Sequence, residues 1–299
     1  MTGPEDRPVP EFALVGAHGM LGRAWRERLE AQRRDYIAYG RHQLDITDPA
    51  AVDAKLPAGL RFVVNCAAYT DVDACETHEA DATRLNALGP GHLARRCAAI
   101  HATLLHYSTD YVFAGDADTP YPVDAPIAPR SAYGRTKAAG EQAVRDAAGP
   151  HLILRTSWLY APWGQNFVRT MLRLTAEKDR LRVVHDQRGR PTSAPRLADV
   201  SLQLADLHDP SDPGQTLHVT DAGECTWFEF TQEIARRAGP PASACDLQPC
   251  TTAEFPRPAP RPAYSVLDLA PTQALVGPLT DWRDNLADVL ATLRESPPA

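Results

Sequence analysis

The sequence predicts an α/β protein built on a doubly wound parallel sheet. Three observations carry that prediction. Short apolar, β-rich runs alternate with helical stretches through the first half of the chain. The first run, residues 12–15, leads directly into a glycine-spaced turn that opens a helix. The runs are spaced for βαβ crossovers, whose hand is right-handed.

The elements follow in order. Residues 12–15 read as a strand, 21–33 as a helix and 35–39 as a second strand. Thr47-Asp48-Pro49 is a helix start, a capping side chain ahead of a first-turn proline. Residues 62–66 are a third strand, and 76–99 one long helix or two broken near Gly89-Pro90. A fourth strand at 103–108, a helix at 131–148 and a fifth strand at 151–156 complete the first half. Beyond Trp158 the pattern loosens: helices at 166–177, 194–207, 226–238 and 279–294, a strand at 181–185, and a turn cluster at 209–214. Seven prolines between Pro240 and Pro262 exclude regular helix there. The expected division is a loose leader at 1–11, a nucleotide-binding core at 12–157, and a smaller lobe at 158–299, with 158–220 serving both. The leader lacks the apolar centre of a signal peptide.

Composition narrows the function. With 43% hydrophobic and 23% charged residues, wholesale disorder is excluded. No apolar run is long enough to span a membrane. A net charge of −7 argues against non-specific nucleic-acid binding. The six cysteines contain no C-x-x-C pair, so no metal site is expected and free thiols in a reducing, cytoplasmic compartment are. Only three of the 31 basic residues other than histidine are lysines, Lys55, Lys137 and Lys178, which makes each worth inspecting.

Gly16-Ala17-His18-Gly19-Met20-Leu21-Gly22 has the spacing G-x-x-G-x-x-G. Glycines let the backbone turn tightly against a pyrophosphate, and the helix that follows offers free N–H groups. At a strand–helix junction this turn reads as a dinucleotide cradle; a ligand-free glycine turn is the alternative. An NAD site places an acid at the end of the second strand. Here Tyr39-Gly40-Arg41-His42 has a guanidinium instead, which suits a 2′-phosphate, with His18 as a second contributor. NADPH is therefore the expected cofactor and NADH the second choice; as a surface residue, Arg41 would say nothing.

Tyr133-Gly-Arg-Thr-Lys137 puts a phenol and an ammonium four residues apart on one helix face. At about 4 Å their attraction is roughly 4 kcal/mol, enough to draw a phenol down by up to about three pH units toward neutrality. Thr109, at the end of the fourth strand, could bond the oxygen that Tyr133 protonates. Thr109, Tyr133 and Lys137 are the catalytic candidates; a surface tyrosine beside a solvated lysine is the plain alternative.

Together these residues resemble the extended branch of the short-chain dehydrogenase/reductase superfamily, and within it the RmlD-type sugar-nucleotide reductases that act on dTDP-4-dehydrorhamnose. The resemblance also rests on Asn65-Cys-Ala-Ala-Tyr69-Thr70-Asp-Val-Asp73, Ser108-Thr109-Asp110-Tyr111-Val-Phe113, Arg155-Thr-Ser-Trp158 and Arg261-Pro262. It implies a Rossmann-type core, a nicotinamide cofactor and a dTDP-sugar substrate. Tyr133 would give the proton, Lys137 hold the nicotinamide ribose, and Thr109 bond the substrate oxygen. Ala67, Ala68 and Tyr69 would line the cofactor path, and Asp45 and Ile46 meet the adenine. Thr70, Asp110, Tyr111, Trp158 and Asn166 would face the substrate, with Gln187, Pro191 and Arg261 at its nucleotide end.

Two departures stand out. Tyr264 replaces an asparagine usual in the family, which leaves room for a related ketosugar. Glutamates that hold a divalent metal between protomers in some members align with Ala24, Pro195 and Thr292, so no such metal is implied. Monomer and homodimer both stay open. Thr109 is followed by Asp110-Tyr111 instead of the Asp-Glu pair of related dehydratases, which disfavours dehydration. A non-catalytic, cofactor-binding regulatory subunit is the remaining alternative.

Overall fold

The structure is a computed structural model and describes residues 9–295. The leader expected at 1–11 lies outside the described residues as far as Pro8. Glu11 is already tied down, its carboxylate meeting Arg34 at 2.7 Å and Arg61 at 3.1 Å.

Six parallel strands form the central sheet: β1 (Phe12–Val15), β2 (Tyr36–Tyr39), β3 (Phe62–Asn65), β4 (Thr103–Thr109), β5 (His151–Thr156) and β6 (Gln215–His218), in the order β6-β5-β4-β3-β1-β2. β1, β3 and β4 are buried on both faces, hence the continuous apolar runs of β1 and β3, while β4 buries Thr, His and Ser as well. Phe12 and Leu14 point to one face, onto α1 (Met20–Ala31) and a helix at Ala194–Leu207. Ala13 and Val15 point to the other, onto α2 (Pro49–Lys55), α3 (Gly89–Ile100) and α4 (Ala132–Asp146). The chain leaves β1 toward β2 and returns on the far side to β3. That reversal opens a crevice at the carboxyl ends of β1 and β3, where ligands bind in doubly wound sheets.

The second lobe packs α5 (Phe167–Glu177), α6 (Ala194–Leu207, shared with the sheet), α7 (Trp227–Ala238) and α8 (Trp282–Glu295) with the rest of the chain. Its own core holds Tyr160, Val168, Phe230, Trp282 and Leu286. Thr226 and Glu229 form a complete capping box at the start of α7. A parallel pair, Arg180–Val184 with Asp246–Cys250, edges this lobe.

Four features differ from expectation. β6 and a short helix at Ala270–Val276 were not anticipated. Pro249 lies within a strand, on a two-stranded edge where its missing N–H is tolerated. Residues 76–99 neither run straight nor break at Gly89-Pro90: a helix at Glu79–Thr83 passes through a π-turn at Arg84–Leu88 into α3. Pro90 has no N–H to bond the carbonyl four residues back, so the winding widens there.

Candidate active site

The glycine turn occupies the β1–β3 crevice. Gly16 has φ of 76°, and a Cβ on it would sit 2.7 Å from the Ala67 nitrogen. A Cβ on Gly22 would lie 2.3 Å from the Gly16 oxygen. Gly16 thus packs the turn on the chain leaving β3, Gly22 packs α1 on the turn, and Gly19 stands at the N-terminus of α1 with no side-chain cap. The uncapped N–H groups are available to an anion.

A cleft of about 700 Å³ opens over this turn, lined by Gly16, His18, Gly19, Arg41, Asp45, Ile46, Ala67, Ala68, Tyr69 and Thr70 among others. At the end of β2 a Cβ on Gly40 would meet His18 at 3.2 Å and Gln43 at 3.3 Å, so an acid there would have to displace His18. Asp45 faces its own loop, accepting from the Thr47 nitrogen at 2.9 Å and hydroxyl at 2.8 Å. Those bonds hold its carboxyl below the ordinary range. Met20 and Leu21 begin α1, with Leu21 buried in the core and the Met20 carbonyl accepting from Trp163 at 2.9 Å.

A second cleft of about 490 Å³ lies across the lobe boundary, lined by Tyr111, Gln187, Arg261, Trp227, Phe167, Lys178 and Arg257 among others. Trp158 stacks on Trp227 with centroids 3.5 Å apart and planes 9° apart. The Trp227 indole donates to Gln187 at 3.2 Å. Trp227 was missed in the sequence, where its place in an amphipathic helix reads as core.

Thr109, Tyr133 and Lys137 meet between the clefts. Thr109 ends β4; Tyr133 and Lys137 ride the first turns of α4, whose start Ser131 caps by accepting from the Gly134 nitrogen. Tyr133 and the first cleft's Tyr69 pack on the same buried cluster of Cys75, Ala82 and Ala132. On its other side Tyr133 meets Tyr111 of the second cleft edge-on at 5.6 Å. Lys137 is 2% exposed, and its ammonium donates to the Tyr107 carbonyl at 2.6 Å. Burial brings it down to about 8, against a smaller opposing pull from Glu141.

The phenol departs from expectation. Burial pushes Tyr133 up, and hydrogen bonding to Thr109 only partly offsets this. Lys137 is occupied at the Tyr107 carbonyl and does not figure among the groups that move it. Desolvation outweighs the attraction expected of the pair, so the phenol stays protonated at neutral pH.

Asp110 and Asn166, expected at the substrate, bond to groups of the protein itself. Asp110 is 2% exposed and accepts from the Thr109 hydroxyl at 2.9 Å; burial raises its carboxyl to about 6. Asn166 caps α5, and its amide donates to the Ala161 and Trp163 carbonyls at 2.9 and 3.1 Å. Pro191 is buried. Thr70 lies in the first cleft instead of the second. Tyr264 packs beside the Val112, Phe113, Tyr121 and Leu267 cluster.

Asn86 is fully buried; its side-chain oxygen accepts from the Tyr69 nitrogen at 2.7 Å, and its amide donates to the Tyr69 carbonyl at 3.0 Å and to the Thr136 hydroxyl at 3.1 Å. Among the described residues no group of three or more His, Cys, Asp or Glu side chains is arranged to hold a metal, and no helix is long and apolar enough to cross a membrane.

The model of the RmlD substrate binding domain family matches residues 11–295. A probable dTDP-4,6-dihydroxy-2-methyloxan-3-one 4-ketoreductase of Streptomyces antibioticus is 47% identical over 96% of this chain and 97% of its own. A dTDP-4-dehydrorhamnose reductase of Streptomyces griseus is 43% identical over 98% of this chain and 94% of its own. The solved structure of a dTDP-4-dehydrorhamnose reductase from Bacillus anthracis, in complex with NADP, superposes with a TM-score of 0.87 at 34% identity, covering 95% of this chain and 99% of that one. With both clefts and the Thr–Tyr–Lys group in place, the chain belongs to the RmlD family of nucleotide-sugar reductases.

Proposed function

We propose that this chain reduces the 4-keto group of dTDP-4-dehydro-L-rhamnose to give dTDP-L-rhamnose, with NADPH as the reductant. The observation that carries the reading is the position of Tyr133, between Tyr69 of the first cleft and Tyr111 of the second, with Thr109 and Lys137 beside it.

The residues present fit a dinucleotide. Gly16 and Gly22 leave no room for side chains, and the end of α1 is uncapped. Met20 and Leu21 would hold the pyrophosphate through their backbone N–H groups where Gly16 and Gly19 leave its approach clear, Arg41 and His18 the 2′-phosphate, Asp45 and Ile46 the adenine end, and Ala67, Ala68 and Tyr69 the path inward. NADPH, when bound, supplies the hydride. Tyr133 supplies the proton to the substrate oxygen, and its burial helps, since a general acid must arrive protonated. The Thr109 hydroxyl, which donates to Asp110, rotates to bond the same oxygen. Lys137 would hold the nicotinamide ribose through the ammonium donors not used on the Tyr107 carbonyl. Tyr111, Gln187 and Arg261, with the Trp158–Trp227 wall, would hold the nucleotide sugar, and Arg261 would clamp its diphosphate.

The test combines the protein with dTDP-4-keto-6-deoxyglucose, a 3,5-epimerase and NADPH or NADH, following nicotinamide absorbance. The expected result is oxidation that requires the epimerase, faster with NADPH, with dTDP-rhamnose as product. Tyr133→Phe should lower kcat on the order of 10²–10⁴-fold and leave cofactor affinity unchanged. The Streptomyces antibioticus relative favours a second reading, a 4-ketoreductase of another dTDP-deoxysugar. Oxidation without the epimerase would select it. Cofactor binding without turnover of any ketosugar would return the regulatory-subunit reading.

A further inference from the structure

We propose that Asp73 is a positioning residue for the anionic end of the substrate: it presents Arg261 to the second cleft from the turn that walls the first. This rests on the nucleotide-sugar reading above.

The segment Pro256-Arg257-Pro258-Ala259-Pro260-Arg261-Pro262 has proline at every second position. Proline donates no N–H and fixes φ, so such a loop can neither join a sheet ladder nor wind into helix, and it needs an acceptor from outside. That acceptor is one carboxylate. Asp73 Oδ1 accepts from the Ala259 nitrogen at 3.2 Å and from Arg261 Nη2 at 2.9 Å. Asp73 Oδ2 faces Arg257 Nη1 at 3.8 Å. Asp73 lies in the short helix Val72–Cys75, directly after Thr70 and Asp71 of the cofactor cleft, and Asp71 caps that helix by accepting from the Ala74 nitrogen at 3.0 Å.

Arg261 is held on two sides. Besides Asp73, its Nη1 donates to the Ala259 carbonyl at 3.3 Å. A guanidinium has five donors in a rigid fork, so fixing two of them aims the others, and Arg261 lines the second cleft. The side chains of the pair are 18% and 25% exposed, shielded enough to hold a geometry that freely solvated pairs do not. The negative charge of Asp73 opposes an incoming diphosphate, and a fixed guanidinium favours it. The proposal is that fixing the guanidinium wins.

A double-mutant cycle decides this. Binding of dTDP is measured for the wild type, Asp73→Ala, Arg261→Ala and the double variant, together with kcat and KM for the ketosugar. NADPH binding serves as the control for folding. Asp73→Ala should weaken dTDP binding and raise KM about tenfold, while kcat stays within about twofold. The double variant should bind no worse than Arg261→Ala alone, because Asp73 acts through Arg261. Asp73→Asn keeps an acceptor for the Ala259 nitrogen, guards against loss of the loop, and should show an intermediate loss. Unchanged or tighter dTDP binding in the Asp73 variants would overturn the proposal, since tighter binding means Asp73 competes for Arg261. Additive losses would overturn it as well. A wild type that binds NADPH and not dTDP would remove the nucleotide-sugar reading itself, and the inference with it.

Discussion

Lys137 shows what a buried ammonium costs the fold. Its position lowers it from 10.5 to about 8, and at about 1.4 kcal/mol per pH unit the charged form is disfavoured by roughly 3 kcal/mol. Unfolding restores the ordinary value. Between pH 8 and 10.5 the unfolded chain therefore holds a proton that the folded chain has lost, and stability rises with pH across that window. Lys137→Met should remove the penalty and leave the Tyr107 carbonyl without its donor, a loss of about 1 kcal/mol. The expected outcome is a protein about 2 kcal/mol more stable at pH 7 by denaturant titration, flatter in its stability above pH 8, and inactive. A less stable variant would show that the bond to Tyr107 outweighs the burial.

The candidate catalytic residues are held in place by a helix pair, α4 and the π-turn at Arg84–Leu88. A Cβ on Gly140 would lie 2.1 Å from the Asn86 oxygen, so the two backbones touch. Asn86 in turn fixes Tyr69, and Gly140 shares α4 with Tyr133 and Lys137. Gly140→Ala should push these elements apart, costing about 1–3 kcal/mol in stability and lowering kcat as well as cofactor affinity; thermal unfolding and steady-state kinetics would show both. Contacts of this kind explain what the sequence conceals. The first five sheet strands and the glycine turn are legible because apolar runs and a glycine spacing are local signals. Thr109, Tyr133 and Lys137 are legible because the ends of strands and the starts of helices have local signatures too. β6 is only Gln215-Thr-Leu-His218, with one apolar residue in four, and is a strand because β5 pairs with it. The roles of Asn86 and Asp73 depend on partners 17 to 188 residues away, and no local pattern announces them. The Tyr133 phenol was misjudged for a related reason: helical spacing shows that Lys137 is near but not that it is spent on a carbonyl.

At the level of the whole molecule, one buried carboxyl adds a second dependence of stability on pH. Asp221, 1% exposed at the seam of the two lobes, accepts from the Ser193 nitrogen at 3.0 Å and is raised by burial to about 8. From about pH 4 to 8 the unfolded carboxyl is ionised while the folded one keeps its proton, so stability falls as pH rises through that range. Thermal unfolding followed from pH 5 to 8 should show a declining Tm in the wild type and a flatter profile in Asp221→Asn, whose side-chain oxygen can still accept from Ser193. An equal slope in both would place the pH dependence elsewhere. One further property follows from the stacked indoles of Trp158 and Trp227. The chain has five tryptophans, and these two lie in van der Waals contact beside the second cleft. Parallel rings so close couple their electronic transitions, so the near-ultraviolet optical activity of the whole protein is weighted toward one wall of one cleft. A ligand entering there would announce itself in the native chromophores, with no label attached.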